Sequence, residues 1–213
     1  FCLGLILVVI GGAELFTGNN LIVMAWANQK VSTAALLRNW VIVYFGNFLG
    51  SIGTAFLVFL SKQYLNGSGA VGLTALNIAK SKVEQDFVQA VALGILCNAL
   101  VCLAVWMTYG ARSTMDKIAA ILFPISAFVA AGSEHSIANM YFIPFAIMIK
   151  DWAGGSFWEL IGKTPADFAS ITWRSCLVNN LIPVTIGNII GGAVFVAGIY
   201  WLIYLRPEKS QKD

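Results

Sequence analysis

The sequence predicts an all-α membrane protein built as an inverted repeat of three plus three membrane spans, in which two helices are broken. Three observations predict this fold class. The first is composition, because 59% of the 213 residues are hydrophobic and only 11% are charged, about half the charged fraction of a soluble domain. The second is that two long apolar stretches are each interrupted by a short polar segment. The third is that these two segments share a residue pattern, and the spans after them share another.

The second polar segment, residues 132–140, holds the only histidine of the chain, His135. A straight helix from Ile118 to Ile149 would be roughly 48 Å long, whereas a hydrocarbon core is about 30 Å thick. The stretch is therefore too long for one straight span and too short for two. We expect one span with a break near mid-depth, where irregular backbone persists only if protein or a water-filled cavity covers it. Such a break is a candidate pore or binding site.

The first polar segment, residues 11–20, separates the apolar residues 1–10 from 21–27 and predicts a second broken span. Pro183 predicts a kink in the last span. In total we expect five spans, two of them broken, at residues 11–20 and 132–135. The three unbroken spans are 38–60, 87–107 and 177–205. The connecting loops are 28–37, 61–82, 109–117 and 150–174, the last of them partly interfacial.

An internal repeat relates the two breaks. Gly12-x-Glu14 with Asn19 five residues on recurs as Gly132-x-Glu134 with Asn139 five residues on. The following spans match at equal spacing in four further pairs: Asn39 and Asn180, Gly46 and Gly187, Asn47 and Asn188, Gly50 and Gly191. Because the breaks are three spans apart, the halves run in opposite directions, and broken helices of such repeats meet near the midplane.

We interpret residues 1–213 as one channel domain, with 1–61 as the remainder of the first repeat and 82–205 as the second. The counterpart of span 87–107 would precede Phe1. We therefore expect six spans in the natural protein, the first of them absent from this chain.

Charge and cysteine content narrow the function classes. A formal net charge of +3 gives no basis for a nucleic-acid partner, and the four cysteines show neither metal-ligand nor disulfide spacing. We expect no metal and no cofactor. The loops on the side of the C-terminus carry the larger excess of Lys and Arg over acids, Lys209 and Lys212 included. This bias predicts a cytoplasmic C-terminus.

Four segments together resemble the formate/nitrite transporter family. They are Gly-Ser-Glu-His-Ser-Ile-Ala-Asn-Met at 132–140, Gly-Ala-Glu-Leu-Phe-Thr at 12–17, Tyr-Phe-Gly-Asn at 44–47 and Asn-Leu-Ile-Pro-Val-Thr-Ile-Gly-Asn at 180–188. The resemblance extends over the whole chain. It implies an aquaporin-like protomer, a homopentamer in the bacterial inner membrane, and a path for formate through each protomer. It also implies a channel or transporter and not an enzyme.

The resemblance also implies roles for individual residues. His135 is similar to the central pore histidine of the family, with Thr17 and Asn98 as the polar residues near it. Six apolar residues match the family's constrictions: Phe1, Leu5, Leu15, Phe16, Val101 and Phe128.

The polar residues at and after the breaks each have a functional and a structural interpretation. A histidine within a membrane break marks a pathway by default. Glu14 and Glu134 are better explained as acceptors for N–H groups released at the breaks, since a carboxylate facing an anion path would repel the anion. Asn47 and Asn188 lie beside glycines and are expected to serve close helix packing.

The expected mechanism follows from the cost of moving an anion through an apolar constriction. The half-helices after the breaks direct their positive N-terminal ends toward mid-membrane. His135 offers a polar hydrogen, and a proton passed from it would release the anion as a neutral acid. The sequence leaves open a channel or a proton-coupled transporter, and formate, nitrite or hydrosulfide as the anion.

Three other classes fit less well. An aquaporin-type channel for neutral solutes would carry Asn-Pro-Ala at both breaks, but Asn19 and Asn139 are not followed by proline. An intramembrane serine protease would need a Gly-x-Ser-Gly turn and a histidine on another span. A haem protein would usually need more than one histidine.

Overall fold

The computed structural model describes residues 1–206, which form helices and connecting segments without a strand. The helices are α1 (Cys2–Gly11), α2 (Ile22–Ala27), α3 (Thr33–Leu60), α4 (Ala70–Val83), α5 (Phe87–Tyr109), α6 (Thr114–Ala130), α7 (Ser136–Trp152), α8 (Gly155–Ile161) and a last helix, Ser175–Leu205. Short 3₁₀ turns occupy Gly18–Leu21, Gln63–Leu65 and Pro165–Phe168. The predicted all-α class is confirmed. Lys209 and Lys212, used above for orientation, lie outside the described residues.

Three helices of the described chain are long and apolar enough to cross a membrane. They are α3 with 28 residues, α5 with 23 and the last helix with 31. Their positions correspond to the three unbroken spans expected from the sequence. The chain is thus a multi-pass membrane protein, and the segments on either side of the two polar stretches form shorter helices.

Both predicted breaks are confirmed, and they share one backbone feature. Helix α1 ends at Gly11 and is followed by Gly12 with φ 74°, while α6 ends at Ala130 and is followed two residues later by Gly132 with φ 65°. Glycine adopts this left-handed conformation without the steric cost that a Cβ would impose. The chain then resumes helical structure at Gly18–Leu21 after the first break and in α7 after the second.

The last helix changes its winding around Pro183. Residues Ser175–Leu181 are π-helical, Ile182–Ile189 are α-helical, and Ile190–Gly198 are π-helical again. Proline has no N–H to donate within a helix, and π-helical turns are one way in which a helix accommodates such an interruption. The predicted kink at Pro183 therefore corresponds to a change of helix type.

The prediction of a polar loop over residues 61–82 is wrong for most of that stretch, which contains helix α4. Its buried residues are Gly72, Ala75, Leu76, Ala79 and Val83. Their spacing matches one face of a helix. The face is built mostly from small residues, so it lacks the bulky apolar signature of a core helix. Tertiary packing against α7 and α8, including Phe157, decides that this segment is helical.

The described chain forms two compact units. The first comprises Phe1–Val43, Ile95–Ser133 and the residues from Asn188 onward, and the second comprises Tyr44–Gly94 and Glu134–Gly187. The core of the first unit includes Leu5, Leu21, Val101, Ile121, Ile125 and Phe128. The core of the second includes Leu76, Met140, Ile143, Ile149, Phe157 and Ile171. Each unit takes segments from both halves of the sequence repeat.

Candidate substrate path

The first break is bound to the start of α3 by a triad of polar side chains. The Asn19 amide donates to Glu14 Oε2 and, at 2.9 Å, to Asn39 Oδ1. Trp40, the residue after Asn39, donates Nε1–H to the Asn19 carbonyl at 3.1 Å. The residues that the repeat singled out thus contact one another directly.

The second break carries the same triad at the repeat-related positions. The Asn139 amide donates to Glu134 Oε2 at 2.5 Å and to Asn180 Oδ1 at 2.7 Å. The spacing shared by the two halves of the sequence therefore places a carboxylate, a donor amide and an acceptor amide together twice. This agreement supports the internal repeat.

The second triad is more deeply buried than the first, and the cation Lys82 binds its glutamate. Glu134 is only 1% exposed. Its Oε1 accepts from Lys82 Nζ at 2.7 Å and from Gln85 Nε2 at 3.2 Å, and its Oε2 also accepts from Asn180 at 3.3 Å. A buried carboxylate needs a countercharge and hydrogen-bond donors of this kind.

The sequence alone does not identify Lys82 or Gln85 as part of the site. It identifies Asn139 and Asn180 only as repeat-related positions. Lys82 lies in the predicted loop 61–82, and no local pattern connects it with a glutamate 52 positions away. The donors to Glu134 described above are side chains, where backbone N–H groups were expected. In the sequence, Lys82 lies five residues before the apolar span that begins at Phe87, and no local pattern marks it as a partner of Glu134.

His135 caps helix α7. Its backbone is extended, with φ −120° and ψ 115°, and its Nδ1 accepts the Ala138 N–H at 3.1 Å. A side-chain acceptor at this position satisfies one of the N–H groups that a helix leaves without intrahelical partners at its start. A nitrogen that accepts a hydrogen bond carries no hydrogen, so the neutral ring bears its proton on Nε2. His135 is 7% exposed and lies at the positive end of a 17-residue helix.

Thr17 and Asn98 lie together in the first unit, and both are fully buried. The Asn98 amide donates to the Thr17 carbonyl at 3.2 Å and to the Asn188 carbonyl at 2.7 Å. Asn98 thereby connects the first break, α5 and the last helix. His135 belongs to the second unit.

Most of the apolar residues expected at constrictions cluster in the core of the first unit. Leu5, Val101 and Phe128 are buried there, and Leu15 packs against them. Phe1 meets the Phe128 ring edge-on at 5.4 Å between centroids. Phe16 is also buried, and its ring meets Trp40 edge-on at 5.8 Å.

Asn188 and Asn47, the pair of asparagines beside glycines, have different surroundings. Asn188 is fully buried, and Gly191 near it lies against the backbone of Ile95 in α5. Asn47 lines an open groove of about 400 Å³ together with Gly46 and Gly50 of α3. Close helix packing beside glycine is therefore present around Asn188.

The family described as formate/nitrite transporter matches residues 1–202. The formate channel FocA of Escherichia coli K12 is 50% identical over 208 residues, which cover 98% of this chain and 73% of FocA. The FocA of Haemophilus influenzae is 42% identical, over 92% of this chain and 69% of that protein.

A solved structure described as a pentameric formate channel with formate bound has a TM-score of 0.88 to this chain. The two are 48% identical, and the match covers 96% of this chain and 80% of the other.

Proposed function

Because this chain belongs to the formate/nitrite transporter family, we propose that it forms a membrane channel that carries formate through each protomer. The observation that carries this proposal is 50% identity to a formate channel over 98% of the chain. The similarity to a channel structure with bound formate supports the same anion. As in that pentameric structure, the protomers would assemble as a homopentamer. We place the protein in a bacterial inner membrane with a cytoplasmic C-terminus.

The proposed path uses the second break to offset the dehydration of the anion. An isolated carboxylate is very costly in an apolar environment. The N-terminus of α7 supplies partial positive charge, and the Nε2–H of His135 supplies a hydrogen-bond donor. We assign Thr17 a second donor role on this path and Phe1, Leu5, Leu15, Phe16, Val101 and Phe128 its apolar constrictions. Glu14 and Glu134, held in their triads, have a structural role in this proposal.

The hydrogen bond by which His135 caps α7 constrains proton transfer from this residue. The neutral His135 ring has one proton, on Nε2, and cannot release it to formate without becoming an unstable imidazolate. Transfer therefore requires a second proton at Nδ1, the atom that now accepts the Ala138 N–H. That proton would replace a hydrogen bond by a contact between two N–H groups. Proton-coupled transport through His135 therefore includes loss of this cap, whereas a channel does not require it.

The test compares formate flux into proteoliposomes at several pH values for His135→Asn, His135→Phe and the wild type. His135→Asn retains a donor and an N-cap but cannot hand over a proton. It should conduct formate and lose the pH dependence of the wild type. His135→Phe should abolish flux while the protein still assembles, because an apolar ring offers no donor. Thr17→Ala should reduce flux more mildly.

Two outcomes would change the proposal. A wild-type pH profile in His135→Asn would make the residue a polar filter and not a proton donor. Wild-type uptake of nitrite or hydrosulfide with no uptake of formate would reassign the anion.

A further inference from the structure

Two asparagine side chains hold consecutive carbonyl groups in the first break. The Asn20 amide donates to the Phe16 carbonyl at 2.9 Å, and the Asn98 amide donates to the Thr17 carbonyl at 3.2 Å. Cys102 Sγ adds a weak contact to the Thr17 carbonyl at 3.4 Å. Asn20 and Asn98 are both completely buried. The backbone that carries Phe16 and Thr17 is therefore held from the protein interior.

The contacts of Asn98 leave no hydrogen for a substrate. A side-chain amide has two N–H groups. In Asn98 these bind the carbonyls of Thr17 and Asn188, the latter at 2.7 Å. Its Oδ1 lies 3.8 Å from Cys102 Sγ. The geometry suits a residue that connects backbone segments and does not suit a donor to a passing anion.

We propose that Asn98 and Asn20 are positioning residues that set the selectivity of the path by holding Phe16 and Thr17 in place. This inference rests on the proposed function, which assigns Phe16 to a constriction and Thr17 to the path. The amides fix the two carbonyls, and thereby fix where the Phe16 ring and the Thr17 hydroxyl lie. A loosened segment widens the constriction, so a larger carboxylate passes more easily relative to formate.

Gly192 makes room for this arrangement. A Cβ built on Gly192 would clash with Asn98 Nδ2, and it would lie 2.8 Å from both Asn20 Cβ and Cys102 Sγ. Gly192→Ala therefore displaces the amides without removing any hydrogen-bonding group. It provides a way to disturb Asn98 and Asn20 while both remain in the sequence.

The experiment measures formate and acetate flux in proteoliposomes, per assembled protein, for Gly192→Ala, Asn98→Ala, Asn20→Ala and the double variant Gly192→Ala/Asn98→Ala. The matched control is Gly198→Ala on the same helix, where the nearest atom to the new Cβ, the Ala193 carbonyl oxygen, lies at an ordinary 3.4 Å. We expect the formate-to-acetate ratio to fall roughly fivefold in each single variant, as for the loss of about one neutral hydrogen bond. The double variant should fall by less than the product of the two single effects, because Asn98→Ala removes the closest contact of the new Cβ and leaves the one with Asn20. The control should match the wild type.

The outcomes separate this inference from the proposed function. Wild-type protein without formate flux would overturn the proposed function itself. A wild-type ratio in all variants, with only less assembled protein, would make the asparagines merely structural and overturn the inference. A changed ratio in Asn98→Ala but not in Gly192→Ala would show that Asn98 contacts the anion directly. If Asn98→Ala does not assemble, Gly192→Ala and Asn20→Ala still decide the matter.

Discussion

At the scale of single residues, the Glu134 carboxylate is buried and paired with a cation. It lies at the second break, directly before His135, and accepts hydrogen bonds from Lys82, Gln85, Asn139 and Asn180. Its side chain is 2% exposed and that of Lys82 is 14% exposed. Removing the lysine therefore removes the countercharge from a place that water hardly reaches.

Lys82→Met should destabilise the protein by about 3–5 kcal/mol, since it leaves a buried charge without its cation. Thermal unfolding in detergent measures the effect. The double variant Lys82→Met/Glu134→Gln should recover most of the loss, because a neutral amide can still accept from the neighbouring asparagines. If Lys82→Met unfolds at the wild-type temperature, the ion pair contributes little and Glu134 is held by the amides alone.

At the scale of elements, the two breaks are built from one local design. Each begins with a left-handed glycine, Gly12 or Gly132, and each contains a glutamate bound by an asparagine five residues on. The left-handed turn ends the preceding helix, and the side-chain triad then holds the non-helical backbone to a neighbouring helix. A similar pattern in the sequence therefore produces similar contacts in both halves.

Helix α5 and the last helix approach closely enough to exclude a single methyl group at Gly191. A Cβ there would clash with the carbonyl oxygen of Ile95, and backbone cannot move aside as a flexible side chain can. Gly191→Ala should therefore lower stability by about 1–3 kcal/mol or more through overpacking. Gly198→Ala on the same helix is the matched control and should remain near the wild type. Melting temperatures in detergent compare the two, and equal values would mean that the helices separate without cost.

At the scale of the whole molecule, a hydrogen bond between Tyr44 and Thr185 is one of the contacts between the halves of the repeat within the second unit. Tyr44 lies five residues after Asn39, and Thr185 lies five residues after Asn180. Their hydroxyl groups are hydrogen-bonded at 2.9 Å. Two equivalent residues related by a two-fold axis can contact each other only if both lie close to that axis. The contact between Tyr44 and Thr185 therefore supports an inverted repeat.

Helix α3 keeps a row of large apolar residues exposed, including Phe45, Leu49 and Leu57 at 60%, 70% and 66%. Such a surface requires lipid or a neighbouring subunit. We expect a homopentamer, so native mass spectrometry in detergent should give about five times the 23.0 kDa of one chain. A monomer or tetramer as the main species would contradict this assembly.

The sequence by itself determined the membrane class and the positions of the breaks, and it predicts the pairing of the repeat. These features are local: apolar runs, glycines and short polar segments report the preferences of the chain at each position. The spacing of Glu14 and Asn19, repeated in Glu134 and Asn139, was sufficient to predict two equivalent sites. The motifs around His135 were likewise sufficient to indicate the family.

Only the tertiary structure decided which distant groups serve those sites. Lys82 reaches Glu134 across 52 positions, Asn98 reaches Thr17 across 81, and α4 becomes a helix because its small residues find a packed surface. The charge of a lysine or the amide of an asparagine is the same in a loop and in a core. The partner of either group depends on how the folded chain brings remote segments together, which no local pattern encodes.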